Sequence, residues 1–286
     1  MKNPLVTVIT ATYNSGKTLE QTIVSVLEQD YPNLEYLIID GGSSDNTIEI
    51  IKKYEIKGIK WISEHDEGLY DALNKGINMS NGDFIDIIGS DDAFASKTAI
   101  SKLVENLDDN IDIICGQEMA VDEESNKTYL VCDNNLVRDK EKYQGDMIAH
   151  AAMLTRKELL LRIPFDTSYR IAADYKFFLQ CYYGNANIKF IDDVIAFFAT
   201  GGLSSNREEC DKENNRIYKD LNLPFSSPKL NSGNLFIRIM KNISWRLHLY
   251  EITHKTYCLV KYWYNVRFKW EKHKCNNKIC RWCGRI

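Results

Sequence analysis

The sequence predicts an α/β fold: a Rossmann-like, mostly parallel sheet with helices on both faces, followed by a C-terminal helical appendage. Three features carry this expectation. Short apolar runs alternate with stretches of helical period from Leu5 to Cys115, the first four runs end in polar clusters, and beyond Phe225 the chain turns basic and aromatic. With 286 residues, 44% hydrophobic and 27% charged, the chain can bury one full core and still carry a module. That balance excludes a disordered or fibrous protein.

The elements follow from periodicity. Strands are expected at Leu5–Thr10, Leu34–Asp40, Ile59–Ser63, Phe84–Gly89 and Ile111–Cys115. Between the first two, Ser15–Gln29 puts Leu19, Ile23, Val26 and Leu27 on one helical face. Asp45 is placed to cap the next helix, where Ile48 and Ile51 repeat at helical spacing. Leu69–Met79 aligns Leu69, Leu73 and Ile77, and Lys97–Leu107 aligns Ile100, Leu103 and Leu107, completing a βαβ series. Past Cys115 the pattern changes. Met119–Val121 and Tyr129–Val131 flank polar Asp122–Lys127 as a hairpin, and a strand is expected at Met147–Leu154. Short helices follow near Arg156–Arg162 and Ala173–Tyr183, then two strands at Ile188–Ile191 and Val194–Ala199. One domain is expected over residues 1–224, in halves 1–115 and 116–224, with 225–286 as the appendage.

Several function classes are bounded by composition. The apolar stretch Leu5–Ala11 runs into Thr12-Tyr13-Asn14 without a cleavage pattern, so it reads as a buried strand rather than a leader. No segment reaches the roughly 18 uninterrupted apolar residues of a spanning helix, so an integral membrane protein is not expected. The eight cysteines, in a chain without an export signal, read as reduced thiols in a cytosol. A net charge of −4 conceals an asymmetry: residues 225–286 hold 13 Lys and Arg against two acids, and the remainder holds 23 against 38. Such a split marks a separate basic module.

In an open α/β sheet, ligands bind beyond the carboxyl ends of the strands, where loops converge and helix amino termini face the crevice. Thr12-Tyr13-Asn14 follows the first expected strand, Asp40-Gly41-Gly42-Ser43-Ser44-Asp45 the second, Glu64-His65-Asp66-Glu67-Gly68 the third and Ser90-Asp91-Asp92 the fourth. Loops are polar everywhere, so one such cluster carries little; four on one edge, rich in carboxylates, carry more. Asp91 and Asp92 offer hard oxygen ligands suited to Mg²⁺ or Mn²⁺, which bridge a diphosphate and neutralise leaving-group charge. An aspartate here can also cap the helix expected from Lys97, although capping needs one carboxylate, not two. On the pair alone both readings stand. Asp40 reads either as a turn residue of Asp-Gly-Gly or as an acceptor for a base or ribose, with Gly41 and Gly42 letting a nucleotide approach the backbone. Asn74 and Lys75 lie on a short helix beside the Asp66-Glu67-Gly68 loop. Lys75 is either a solvated lysine or a ribose or phosphate contact, and charge alone does not decide.

Taken together, Val6–Asn14 (VTVITATYN), Leu37–Thr47 (LIIDGGSSDNT), Ser63–Gly76 (SEHDEGLYDALNKG) and Ile88–Asp92 (IGSDD) resemble the family 2 glycosyltransferases with a GT-A fold. The likeness continues through His150–Arg156 (HAAMLTR), Pro164–Leu179 (PFDTSYRIAADYKFFL) and Thr200–Ser204 (TGGLS), which are similar to a bacterial branch that builds cell-surface polysaccharides. This resemblance implies a nucleotide-sugar-binding half at 1–115 and an acceptor-side half at 116–224. It implies inverting transfer from a nucleotide diphosphate sugar, usually UDP-linked, to a hydroxyl of a glycan or lipid-linked acceptor. Carried over by position, Thr12 and Asp40 contact the base, Tyr13, Asn14 and Asn74 line the donor site, Asp66 and Lys75 contact the nucleotide, and Asp91 the ribose or sugar. Asp92 binds Mn²⁺ or Mg²⁺. The general base falls on Asp174, which takes the acceptor proton as the hydroxyl attacks. His150, Gly201 and Gly202 rank below these as acceptor or metal contacts. From local sequence alone Asp174 is a first-turn helix residue favoured by the macrodipole. Many relatives carry an acid immediately before this aspartate, and here Ala173 stands there.

The appendage reads as two amphipathic helices over residues 233–272. Leu235, Phe236, Ile239, Met240, Ile243 and Leu247 share one face, and Ile252, Leu259, Trp263, Val266 and Trp270 share another. Trp245, Trp263, Trp270 and Trp282 lie among Lys and Arg, a composition suited to an anchor on an anionic leaflet. The same periodicity suits a helical pair packed on the core. A nucleic-acid partner is not expected beside an acidic catalytic half. The protein is therefore expected in the cytoplasm, and on the inner face of the plasma membrane where the appendage acts as the anchor rather than packing on the core. His273, Cys275, Cys280 and Cys283 have irregular spacing with one C-x2-C pair, and free thiols are expected rather than zinc.

Two further readings belong to other classes. A sugar nucleotidyltransferase would need a glycine-rich, basic triphosphate loop after the first strand, where Ala11–Lys17 supplies one glycine and one lysine. A catalytically inactive sugar-binding module would have no need of Asp40, Asp91, Asp92 and Asp174 together.

Overall fold

The computed structural model describes residues 3–121, 127–131, 134–138, 143, 149–223, 271–272 and 282. The first half alternates β1 (Val6–Thr12), α1 (Leu19–Leu27), β2 (Leu34–Asp40), α2 (Thr47–Glu55), β3 (Lys60–Ser63), α3 (Leu69–Met79) and β4 (Phe84–Ile87). Then come β5 (Ala93–Phe94), α4 (Ala99–Glu105), β6 (Ile113–Val121), β7 (Lys127–Leu130), α5 (Asn134–Arg138), β8 (Met153–Arg156), α6 (Lys157–Arg162), α7 (Ala173–Tyr183), β9 (Ile188–Ala199), α8 (Arg207–Asp220) and β10 (Glu271–Lys272). One 3-10 turn, His150–Ala152, leads into β8, and a second lies at Leu203–Ser205.

The strands form one mixed sheet in the order β10-β7-β6-β8-β4-β1-β2-β3, with β9 beside β6 and β5. Strands β3, β2, β1 and β4 run parallel, so their carboxyl ends share one edge. Beyond them β8 enters antiparallel between β4 and β6. Strand alternation sorts the core into two layers. Val6, Val8, Tyr36 and Ile38 pack with α1, α2 and α4 on one face. Ile9, Leu37 and Ile39 pack with α3, α6 and α7 on the other. A Cβ on Gly76 would lie 2.8 Å from Ile9 Cγ2, so glycine lets α3 rest directly on β1.

Three expectations need correction. The strand expected at Met147–Leu154 is, over the described residues, a 3-10 turn at His150–Ala152 followed by β8 at Met153–Arg156. Ile188–Ala199 is one strand of 12 residues rather than two. Asp192-Asp193, between the two expected runs, is absorbed as bulges in the β6–β9 pairing. Helix was also expected to continue to residue 272, but Glu271–Lys272 pairs antiparallel with β7, filling an otherwise open edge. Trp282 is buried against Phe197, with ring centroids 6.1 Å apart, and joins Ala93, Val121 and Ala199. The two amphipathic helices, the Asp122–Asn126 turn, Met147–Ile148 and the His273, Cys275, Cys280 and Cys283 group lie outside the described residues. Among the described residues no helix is long and apolar enough to cross a membrane.

Candidate active site

The parallel strands deliver their following loops to one edge, and hydrogen bonds tie those loops together. Asn14 has φ of 50°, a left-handed conformation that asparagine tolerates. Its N–H donates to Ser43 Oγ at 2.7 Å, and its Oδ1 accepts from Ser44 N at 2.9 Å, so the first loop is laced to the second. Ser15 Oγ meets Ser90 Oγ at 2.9 Å and ties the first loop to the fourth. A Cβ on Gly41 would lie 2.4 Å from Asp66 Oδ2, which brings the second and third loops together.

Within this frame several expected contacts take different roles. Asp40 is fully buried, and its carboxylate accepts from Gly42 N, Ser43 N, Ser43 Oγ and Ser63 Oγ at 2.5–3.0 Å. It organises the loop, and its four donors match the roughly four lone pairs of a carboxylate. Asp66 Oδ1 accepts from Gly68 N at 2.9 Å. Lys75 lies 3.1 Å from Glu64 and 3.2 Å from Asp71, which hold its ammonium above the usual lysine range. It is engaged at the rim, and a phosphate would have to displace those acids. The Asn74 amide makes a two-way clasp with Phe165, donating to the carbonyl at 2.9 Å and accepting from the N–H at 3.1 Å. The clasp uses one N–H and one lone pair of an amide that carries two of each. Thr12 Oγ1 is buried without a hydrogen-bond partner, and Tyr13 is 64% exposed beside it in sequence.

The fourth loop carries the paired acids. Asp92 is buried, and its Oδ1 accepts from Ala199 N at the end of β9 at 2.9 Å. Asp91 Oδ2 lies 3.2 Å from where a Cβ on Gly202 would stand, so Gly202 allows the close approach. Gly201, at φ of 115°, turns the chain into that position. Burial first, then the charges of Asp91 and Glu118, push the Asp92 carboxyl well above the usual carboxylate range. Two hard carboxylates held close against each other's charge suit a divalent cation, which would relieve that repulsion. Among the described residues no three His, Cys, Asp or Glu side chains are grouped to hold a metal unaided. The fit is therefore to an ion that shares its coordination with a ligand's phosphates, as Mg²⁺ sites commonly do.

Asp174 lies in the first turn of α7. Its Oδ1 lies 2.8 Å from Tyr70 Oη and its Oδ2 3.3 Å from His150 Nδ1, and its side chain is 13% exposed. His150 Nε2 is buried without a partner, and the ring packs edge-on to Phe165. Glu118, buried on β6, lies within electrostatic reach of Asp174 and Asp92. Burial first, then the charges of Asp174 and Asp86, push its carboxyl up to about 8, and its own charge raises Asp92 in turn. Sequence reasoning missed Tyr70, although it lies inside the quoted Ser63–Gly76 motif, and Glu118, whose strand carries no local sign of its burial.

Asp86 lies behind this site, fully buried on β4 with both oxygens unpartnered, and burial drives its carboxyl well above the usual range. A buried polar group without a partner is destabilising by about 1–3 kcal/mol. Asp86→Leu is therefore expected to raise the unfolding free energy by about that amount at neutral pH, measured by urea denaturation. An equal loss would mean that the carboxyl has a partner. Asp86 and Glu118 also set a pH slope. A carboxyl raised in the folded state contributes stability below its unfolded value and loses it as pH rises through its folded value. In EDTA, stability should fall from about pH 4.5 to about pH 8 through Glu118, and Glu118→Gln should flatten the fall.

Comparison with known proteins gives the kinship. The model for Glycosyl transferase family 2 matches residues 7–163. A glycosyltransferase of Haemophilus influenzae, described as uncharacterized, is 30% identical over 184 residues, 63% of this chain and 73% of its own. Among solved structures, residues 1–349 of TarS from S. aureus superpose with a TM-score of 0.57 at 20% identity, over 77% of this chain and 66% of that one. Glucosyl-3-phosphoglycerate synthase from Mycobacterium tuberculosis, solved with Mn²⁺, UDP and phosphoglyceric acid, gives 0.58 at 16% identity, over 78% and 80%. These two establish the fold, which is that of GT-A glycosyltransferases. The family match spans more than half of the chain, and on that ground the protein belongs to glycosyl transferase family 2.

Proposed function

We propose that the chain catalyses inverting transfer of a sugar from a nucleotide diphosphate sugar, with UDP as the nucleotide, to an acceptor hydroxyl in bacterial cell-surface polysaccharide or glycolipid assembly. One observation supports this reading: the Asp40, Asp66 and Asp91-Asp92 loops share an edge, and Asp174 meets Tyr70 in the first turn of the helix that follows the Asp66 loop. The donor is supported by the M. tuberculosis synthase, whose structure holds UDP and Mn²⁺.

In this reading Thr12, Tyr13, Asn14 and the Asp40 loop receive the base and ribose, with Asp66 beside them. The unpartnered Thr12 hydroxyl is ready to take a hydrogen bond from the ligand. Asp92, with Asp91 next to it, would hold Mn²⁺ or Mg²⁺, which supplies charge neutralisation to the departing diphosphate. Asp174 accepts the proton of the acceptor hydroxyl while that oxygen bonds to the anomeric carbon. The bond from that carbon to the diphosphate oxygen breaks in the same step, and its electron pair leaves with the nucleotide. Tyr70 and His150 hold the two oxygens of Asp174 for this task, and no covalent sugar–enzyme intermediate is needed.

A panel of UDP-glucose, UDP-galactose, UDP-N-acetylglucosamine and GDP-mannose tests the reading, with UDP or GDP release and thermal stabilisation measured with and without Mn²⁺. One UDP-sugar should stabilise the protein only with the metal and release UDP. Stabilisation without release would favour the inactive sugar-binding module. The basic appendage suggests a peripheral site on an anionic cytoplasmic leaflet. Truncation after Leu223 should release the protein from anionic vesicles in a sedimentation assay, and unchanged binding would remove the anchor from the account.

A further inference from the structure

Behind Asp174 lies an arrangement that neither the motifs nor the donor site uses. On α8, the Glu213 carboxylate accepts from three consecutive backbone N–H groups: Arg170 at 2.7 Å, Ile171 at 2.9 Å and Ala172 at 2.8 Å. Those residues immediately precede α7, and the N–H groups of a helix amino terminus are otherwise orphans. The peptide unit between Ile171 and Ala172 is held at both ends. Glu213 takes its N–H, and the Tyr70 hydroxyl lies 2.5 Å from its carbonyl. A trans peptide is rigid and points these two groups in opposite directions, so fixing one end fixes the other.

The Tyr70 hydroxyl has one hydrogen and two acceptors, Ile171 O at 2.5 Å and Asp174 Oδ1 at 2.8 Å. While Asp174 is a carboxylate, that hydrogen can serve only one of them fully. Once Asp174 has taken a proton on Oδ1, it can donate to Tyr70 Oη, and the Tyr70 hydrogen turns to the Ile171 carbonyl. The row Asp174, Tyr70, Ile171 is then satisfied at every link. The carbonyl that completes it stays in place because Glu213 holds the far side of its peptide.

We propose that Glu213 is a positioning residue of the transfer reaction: from α8 it fixes the Ile171–Ala172 peptide, whose carbonyl Tyr70 shares with Asp174. This rests on the assignment of Asp174 as the base. Glu213 touches no substrate. Its effect is on where Asp174 and Tyr70 stand when the acceptor proton moves, and misplacement by about 1 Å can lower a rate by roughly 100-fold.

The test uses the full chain with the UDP-sugar selected by the panel, and water or the natural acceptor as nucleophile. Glu213→Ala should lower kcat by roughly 10- to 100-fold with the donor KM unchanged. It should also lower hydrogen-exchange protection at the amides of residues 170–172. Because the substitution empties a carboxylate-shaped slot, formate or acetate should restore part of kcat in the variant and none in Asp174→Asn. Asp220→Ala, on the same helix as Glu213, loses the contacts with Tyr169 and Lys176 and should lower stability and leave kcat near wild type. An unchanged kcat in Glu213→Ala would overturn the proposal, as would a kcat loss matched by Asp220→Ala with no response to formate. Full activity in Asp174→Asn would instead remove the base on which the proposal stands.

Discussion

Asp174→Asn is expected to lower turnover by roughly 100- to 10,000-fold, the span associated with a lost general base, while UDP-sugar binding in Mn²⁺ stays near wild type. The substitution keeps the shape of the side chain and the hydrogen bond from Tyr70 to a carbonyl oxygen. What it removes is the capacity to accept the acceptor proton. Binding should survive because the donor loops follow β1–β4, whereas Asp174 belongs to α7. Single-turnover rates together with calorimetry separate the two. Joint loss of binding and turnover would place Asp174 in the donor site, and retained turnover would remove it from the chemistry.

A second large effect is expected at Asp92. Asp92→Ala should abolish the Mn²⁺-dependent part of UDP binding, a loss of roughly 100-fold or about 2.7 kcal/mol. The same change removes a buried acid that burial, Asp91 and Glu118 all push toward its neutral form. It also removes the acceptor of the buried Ala199 N–H, so relief of the buried charge is offset by a donor left unpaired. Activity of the wild type that persists in excess EDTA would contradict the role of the metal.

Local pattern made the donor half legible. Leu34–Asp40, Leu69–Met79 and Ala173–Tyr183 occupy the expected residues because apolar spacing and flanking Gly, Asp and Ser fix each of them within a single segment. The shared edge follows from the parallel order of four strands, itself a consequence of short crossovers. Strand β9 was harder to read, since a neighbour with matching bulges decides that Asp192 and Asp193 stay within it. Partners in the site depend on contacts of long sequence separation. Asn74, on a helix face, clasps Phe165, 91 residues away. Tyr70 reaches Asp174 across 104 residues, and Glu213 reaches Ala172 across 41. No periodicity announces such pairs, because each side chain looks ordinary in its own segment. The family resemblance supplied Asp174, where local sequence alone offered a helix-start residue.

Asp86 and Glu118 show a related limit. An aspartate in an apolar strand reads as a solvent-facing position, since alternation normally sends polar groups outward. Here helices cover both faces of the central strands, and the carboxyl has nowhere wet to turn. The stability gained by Asp86→Leu would measure that directly.

The central claim is that one metal and one diphosphate sit between the Asp92 loop and Asp174. Anomalous diffraction from crystals grown with Mn²⁺ and UDP tests it most directly. The account predicts a single strong manganese peak against the Asp92 carboxylate, with the diphosphate beside it and Asp174 facing the vacant sugar position. A peak elsewhere, or UDP bound with Asp174 turned to another side of the molecule, would contradict it.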